Sequence, residues 1–373
     1  MLQARRDLLS LLDGDGAFLP VPAADPAAAE LLTRELGAGE PIDDCVALVV
    51  STSGSTGVPK GALHTAASLR ASADGTAQAL GGPGAWLLTL PPHHIAGLQV
   101  MLRSLAAGHD PVVIDVADGF DPGVLPAAVD ALDGPRRYTS LVPLQLRKAL
   151  EDPAATKALA GLDAILVGGA ATPPSLADAA RAAGLPIVRT YGMSETAGGC
   201  VYDGVPLPGV RMRIAEPDAD GVGRVELGGA TVALGYRNLP GHPAFSEPGW
   251  FRTDDLGAVD DGVLRIVGRA DQAISTGGLT VLPDVVEAVI AELDGVSACA
   301  VFGLPDERLG QKVAAAVVPA GTISRDRLST VIRDHVTARL DRYAAPRELF
   351  VVDELPLRGP GKVDRQALVE RFG

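Results

Sequence analysis

The chain has 373 residues, 47% of them hydrophobic and 21% charged, with 46 acidic against 32 basic side chains and a net charge of −14. That balance describes a globular chain with ample core and room for two or three domains, and it excludes a disordered polymer. It argues against nucleic acid or an anionic membrane surface as the main partner, since both need clustered positive charge. A small anion in a local pocket is not excluded. From Cys45 to Tyr191 short β-rich runs alternate with helical patterns. CVALVV (45–50), WLLTL (86–90), PVVIDV (111–116), YTSLVP (138–143), AILVGG (164–169) and PIVRTYG (186–192) read as strands, with helix-length segments such as Ile95–Ala107 and Pro174–Ala183 between them. Strands apolar on both faces predict a mostly parallel sheet covered by helices. Gly75–Leu102 lacks Asp, Glu, Lys and Arg, but Pro83, Pro91, Pro92, His93 and His94 interrupt it, so it reads as core and not as a membrane span.

Near Pro206 the texture changes to short alternating runs, VRMRIA, VGRVELGG, TVALGY and VLRIVG, between Gly, Pro and Asp turns. These predict a small antiparallel sheet or barrel over about residues 206–270. Helices return after Arg269–Asp271, first at Pro283–Leu293. SACAVF, KVAAAVV, the helix around Ser324–Leu340 and ELFVVDEL then read as β-β-α-β. The fold class is α/β: a large N-terminal domain, residues 1–270, of mostly parallel helix-covered sheet plus the barrel, followed by a small α+β domain, residues 271–373. The first 16 residues carry acidic side chains where an export signal would be apolar. Cys45, Cys200 and Cys299 are odd in number and form no CxxC pair, which argues against a disulfide framework or zinc site and for a reducing, cytoplasmic compartment.

The most informative segment is Ser51–Gly61, STSGSTGVPKG, directly after a predicted strand. Hydroxyls, backbone N–H groups and one cation are what a triphosphate needs. It is not a Walker A loop, because Pro59 precedes Lys60 and Gly61 follows it. The plain alternative is a flexible Ser/Gly turn, against which the ordered Pro-Lys-Gly ending argues. Lysine is also scarce, with five in the whole chain, so one at this position is informative.

Thr52-Ser53-Gly54-Ser55-Thr56-Gly57-Val58-Pro59-Lys60-Gly61 resembles the phosphate loop of the adenylate-forming superfamily, which comprises acyl- and aryl-CoA synthetases, luciferases and the adenylation domains of peptide synthetases. Four further motifs resemble that superfamily's in the same order. They are Tyr191-Gly192-Met193-Ser194-Glu195, Phe251-Arg252-Thr253-Asp254-Asp255, Gly268-Arg269-Ala270-Asp271 with Ile274 and Gly277-Gly278, and Pro356 with Gly361-Lys362-Val363-Asp364-Arg365. Together they span residues 45 to 365. Pro92–Val100, Arg103-Ser104-Leu105 and Tyr191–Tyr202 further resemble the o-succinylbenzoate–CoA ligases of menaquinone biosynthesis.

The resemblance implies a two-step reaction. A carboxylate attacks the α-phosphorus of ATP, releasing pyrophosphate and leaving an acyl adenylate; the thiol of coenzyme A then attacks the acyl carbonyl and expels AMP. Two unit charges about 4 Å apart repel by about 4 kcal/mol at an effective dielectric of 20, so neutralising that repulsion is the main catalytic task. By resemblance Lys362 bridges the substrate carboxylate and the α-phosphate, and His94 closes the acid pocket. ATP or AMP falls to Thr52, Ser53, Gly54, Ser55, Thr56, Gly57, Lys60, Gly168, Gly169, Ala170, Tyr191, Gly192, Met193, Ser194, Asp255, Arg269 and Lys362. Glu195 is the implied Mg²⁺ ligand. The acid, an aromatic carboxylate, is assigned to His94, Arg103, Gly198 and Gly199. Coenzyme A is assigned to Gly277 and Gly278, and the hinge of a rotating lid to Asp271.

Each assignment has a simpler alternative. Lys362 reads without the other motifs as a solvated lysine, Asp255 as a turn aspartate beside Asp254, His94 as a core histidine at a strand end, and Arg103 as a helix-surface arginine. Cys200 reads as a packing residue. The segment before the phosphate loop is short for the superfamily, Ser194 replaces Thr, Asp254 replaces Gly, Gln272 stands where a second Asp is common, and Leu279-Thr280 replaces a polar pair. Rival functions are another aryl- or acyl-CoA ligase, an adenylation domain loading a carrier protein, and a non-catalytic adenylate-binding protein; a homo-oligomer is compatible with any of them. Residues 1–271 hold 20 basic and 32 acidic side chains, so the acidity belongs mostly to the part that is expected to bind ATP.

Overall fold

A computed structural model describes residues 2–52, 58–321, 325–358 and 362–373. The chain divides into two units, Met1–Arg213 with Glu226–Thr253 and Asp261–Leu264, and Ile214–Val225 with Asp254–Asp260 and Arg265–Gly373.

In the first unit, α1 (Leu2–Asp13) and α2 (Pro26–Glu35) precede β1 (Leu48–Thr52) and β2 (Lys60–His64). Pro26 opens α2 where its missing N–H costs nothing, and the Asp25 side chain accepts from the Ala28 amide. β1 and β2 pair antiparallel from Leu48↔His64 to Thr52↔Lys60. The first expected strand thus starts three residues late and stands outside the parallel sheet. The reason is length: seven residues separate Thr52 from Lys60, and a parallel connection needs a crossover of about a dozen or more.

The chain continues through α3 (Ala66–Ala79), β3 (Ala85–Leu88), α4 (Ile95–Ala106), β4 (Val112–Val113), α5 (Leu125–Asp130), β5 (Arg137–Leu141), α6 (Pro143–Leu150), α7 (Pro153–Leu159), β6 (Ala164–Val167), α8 (Pro174–Ala182), β7 (Ile187–Met193), β8 (Gly198–Tyr202) and β9 (Val205–Pro206). Strands β3 to β9 form one seven-stranded sheet in the order β4-β3-β5-β6-β7-β8-β9. Pairing is parallel from β4 to β7, and β8 and β9 turn back antiparallel. The expected strand at 111–116 shrinks to β4, at the sheet edge, where Pro111 supplies no N–H. One core joins Leu87, Leu141 and Ile165 of the strands to Leu125, Leu146, Leu159 and Leu176 of helices α5 to α8. A second joins Leu11, Leu69, Leu98 and Leu102 of α1, α3 and α4 to Leu48 and Val50.

β10 (Val210–Ala215), β11 (Gly223–Gly229), β12 (Trp250–Asp260) and β13 (Val263–Arg269) make a four-stranded sheet in chain order. TVALGY, expected as a strand of it, is not one. Tyr236 makes isolated bridges to Ala62 and Leu239. The amides of Ala233 and Leu234 are used elsewhere, on the carbonyls of Glu195 and Leu63.

The C-terminal part holds β14 (Ile274–Thr276), β15 (Leu279–Val281), α9 (Pro283–Ile290), β16 (Val296–Asp306), β17 (Gly310–Pro319), α10 (Arg325–Arg339), β18 (Glu348–Val351), β19 (Leu357–Arg358), β20 (Lys362–Val363) and α11 (Arg365–Phe372). The expected β-β-α-β run is present, with β16 antiparallel and β18 parallel to β17. Alternation along β17 sends Val313, Ala315 and Val317 to α9 and α10, and Ala314 and Ala316 to Phe302 and Leu368 on the other face. No helix among the described residues is long and apolar enough to cross a membrane.

Candidate active site

Antiparallel pairing places Thr52 and Lys60 opposite one another at the two ends of the expected phosphate loop. Ser53, Gly54, Ser55, Thr56 and Gly57 lie outside the described residues. Lys60 Nζ stands 5.1 Å from the centroid of the Tyr236 ring, within cation–π range. The Tyr236 hydroxyl donates to Glu195 Oε1 at 2.6 Å, and both residues are buried. Two further bonds tie the turn carrying Glu195 to the hairpin. Ser194 Oγ donates to the Ser51 carbonyl at 3.2 Å, and His64 Nε2 lies 2.6 Å from the Ser194 carbonyl. A carbonyl only accepts, so Nε2 carries the proton, and Nδ1 faces Ser68 Oγ at 3.1 Å. Burial pushes the His64 imidazole down to about 4, against the Ser194 bond that favours the charged form.

Neither Tyr236 nor His64 was singled out from sequence. Tyr236 was hidden in a run read as strand. His64 carried one signal, even spacing from Lys60, which places both on one face of a hairpin strand.

Several of the other expected nucleotide and acid residues of this unit follow the carboxyl ends of parallel strands. Gly168, Gly169 and Ala170 follow β6, Tyr191 to Met193 end β7, and His94 follows β3. Ligands of open α/β sheets gather at that edge. Gly192 has no room for a side chain, since a Cβ there would stand 2.1 Å from the Gly198 carbonyl oxygen. His94 is the N-cap residue of α4, so it begins a helix and does not end a strand. Arg103, two turns along, is buried and therefore not a helix-surface arginine. Its guanidinium lies 5.4 Å from the Trp86 ring and donates to Ser72 Oγ at 3.5 Å. Gly198 and Gly199 open β8, and a Cβ on Gly198 would sit 3.5 Å from Gln99 Cγ of α4. Cys200 is fully buried, which pushes its thiol up to about 12 and fits a packing residue.

In the second unit, Asp255 lies on β12 and not in a turn. Strand alternation separates it from its neighbour, with Asp255 buried and Asp254 exposed. Arg269 gathers three carboxylates: Asp271 at 2.8 Å, Asp255 at 3.2 Å and Asp254 at 3.6 Å. Burial works against its charge, but the carboxylates outweigh burial and its pKa is raised. Gly277 and Gly278, at φ 59° and 82°, form the two-residue turn between β14 and β15, which demands positive φ at both places. Lys362 stands opposite Arg358 in the β19–β20 hairpin; Gly361 lies outside the described residues. Three residues on, Arg365 donates to the Val301 carbonyl, to Gln272 Oε1 at 2.8 Å and to Glu287 Oε1 at 2.8 Å. Arg365 thereby fixes the chain just after Lys362 to the residue that follows Asp271.

Among the described residues no three His, Cys, Asp or Glu side chains converge as a metal cage. A buried carboxylate oriented by a tyrosine, as at Glu195, fits Mg²⁺, which is commonly held by one or two carboxylates plus phosphates.

Comparison with known proteins places the chain among relatives of similar sequence and fold. A protein of Mycobacterium tuberculosis named "Probable 2-succinylbenzoate--CoA ligase" is 58% identical over 96% of this chain and 92% of its own length. A feruloyl-CoA synthase of Amycolatopsis is 34% identical over 96% of this chain and 76% of its own. Among solved structures, o-succinylbenzoate CoA synthetase (MenE) from Bacillus subtilis in complex with the acyl-adenylate intermediate OSB-AMP superposes with a TM-score of 0.73 at 28% identity, covering 87% of this chain and 69% of that one. The model of the AMP-binding enzyme family matches residues 12–237 and that of the AMP-binding enzyme C-terminal domain matches residues 285–362, and the chain belongs to the AMP-binding enzyme family.

Proposed function

We propose that the chain is an AMP-forming acid–CoA ligase that activates o-succinylbenzoate with ATP and transfers the acyl group to coenzyme A, in the cytoplasm and in the service of menaquinone biosynthesis. The observation that carries this reading is the 58% identity, over nearly the full length of both chains, to a relative named for that acid.

In this reading the ends of the phosphate loop at Thr52 and Lys60 hold the triphosphate, with Gly168–Ala170 and Tyr191–Ser194 around the base. Asp255 accepts from the ribose hydroxyls and Arg269 backs it. Glu195, held by Tyr236, binds Mg²⁺, which supplies positive charge to the phosphates. His94, Gly198 and Gly199 line the acid pocket, and Arg103 supplies the cation for the carboxylate that is not activated. Lys362 offsets the repulsion between the attacking carboxylate and the α-phosphate. Domain rotation about Asp271 then removes Lys362 and brings Gly277 and Gly278 to the pantetheine arm of coenzyme A.

The test is AMP formation dependent on coenzyme A, with o-succinylbenzoate beside benzoate, ferulate and fatty acids. Preference for o-succinylbenzoate supports the reading. Preference for ferulate would favour an aryl-CoA ligase of the kind the Amycolatopsis relative is named for. Turnover that needs a carrier protein and ignores coenzyme A would overturn it.

A further inference from the structure

Helix α4 carries a side chain that nothing above explains. Gln99 is wholly buried, yet both its amide atoms, Oε1 and Nε2, lack a hydrogen-bond partner among the described residues. Buried amides are ordinarily paired, and one left unpaired in an apolar setting is costly. One helical turn further on, Arg103 repeats the pattern: it is buried, and its Nε has no partner among the described residues. Positions four apart share a helix face, about 5–6 Å between Cβ atoms. The same face runs beside the start of β8, where Gly198 would bring a Cβ to 3.5 Å from Gln99 Cγ and 3.8 Å from Ile95 Cγ1. Ser72 joins this lining, accepting from Arg103 and donating to the Ala197 carbonyl at 3.0 Å. The residue facing Gln99 from β8 is therefore glycine, close enough that a Cβ there would meet Gln99 and Ile95 at ordinary contact distance.

We infer that Gln99 is a specificity residue of the acid pocket, its Nε2 donating to the ketone oxygen of the substrate. The inference rests on the substrate proposed above. In o-succinylbenzoate the ketone sits on the ring carbon next to the one bearing the aromatic carboxylate. Such a molecule presents an anion and a neutral acceptor side by side, matching a guanidinium and an amide one helical turn apart. An acid without the ketone leaves the amide unpaired, which is how a buried polar group rejects an analogue.

The experiment compares the unsubstituted enzyme with Gln99→Leu, using o-succinylbenzoate and the analogue in which CH₂ replaces the ketone. The expected result is a KM for o-succinylbenzoate raised about 10- to 100-fold in the variant, the loss of one hydrogen bond in a dry site. KM for ATP stays unchanged, the analogue is used at least as well by the variant as by the unsubstituted enzyme, and Tm is no lower in the variant. An unchanged KM, or an equal rise for both acids, overturns the inference, because a purely structural or water-bound amide does not distinguish them. If the leucine variant does not fold, Gln99→Met repeats the comparison. If the unsubstituted enzyme makes no AMP from o-succinylbenzoate, the substrate reading fails first and takes this inference with it, whereas failure of the variant arm alone leaves the substrate reading standing.

Discussion

The hydroxyl of Tyr236 donates to Oε1 of Glu195 at 2.6 Å, and its ring edges against His242 and Phe245 at 5.0 and 5.1 Å. The aromatic packing fixes the ring, the ring fixes the hydroxyl, and the hydroxyl fixes the carboxylate. Tyr236→Phe keeps the packing and removes the donor. The expected cost is about 1–3 kcal/mol of stability, read by urea unfolding. The concentration of Mg²⁺ needed for half-maximal pyrophosphate exchange rises with it. A variant with unchanged Mg²⁺ response would detach Tyr236 from the proposed metal site.

His64 makes stability depend on pH. Its folded pKa of about 4 lies below the ordinary 6.5, chiefly through burial, so between those values the unfolded chain binds the proton and the folded chain does not. Stability from this group is therefore fully present above pH 6.5 and is lost as pH falls toward 4, by about 3 kcal/mol in all. His64→Gln removes that component. Urea titrations of both proteins from pH 7 to pH 4 should show a steeper fall for the histidine form; parallel curves would contradict the assignment.

Lys362 is expected to serve the first half-reaction alone. Lys362→Ala should lower ATP–pyrophosphate exchange by about 10²- to 10³-fold, the scale of removing one charge-stabilising group. It should still convert pre-formed acyl adenylate and coenzyme A to thioester. Normal exchange in this variant would remove Lys362 from the chemistry.

Asp271 lies in the 3₁₀ turn Ala270–Gln272, paired with Arg269 through both carboxylate oxygens. Proline at this position fixes φ near −65°, and hinges work by φ/ψ change in a few residues. Asp271→Pro should therefore slow one half-reaction at least about tenfold more than the other. Equal loss of both would indicate simple damage to the turn.

Much of the fold was legible because periodicity and punctuation are local. Pro174 and Pro283 open helices where expected, and the C-terminal β-β-α-β run follows from its apolar alternation. What escaped was set by pairing across the chain. Residues 45–50 read as one more parallel strand because the sequence window does not show that β2 returns seven residues later. TVALGY has strand composition, but its amides answer the Glu195 turn and β2. The motif residues of the candidate site stood out by spacing, whereas Tyr236, His64 and Gln99 gain meaning only from neighbours 41, 130 and 99 positions away, at Glu195, Ser194 and Gly198. For Arg103 the acid pocket and the helix surface stood as equal alternatives, because helix position alone does not reveal which neighbour covers it; burial removes the second.

The pairing of Thr52 with Lys60 has a thermodynamic consequence for nucleotide capture. Closing seven residues into a ring costs conformational entropy that grows with the logarithm of ring length. Here that loss is incurred once, when the hairpin forms during folding, with Leu48 to Thr52 and Lys60 to His64 zipped on either side. In the proposed role, a phosphate would meet two strand ends that are already paired.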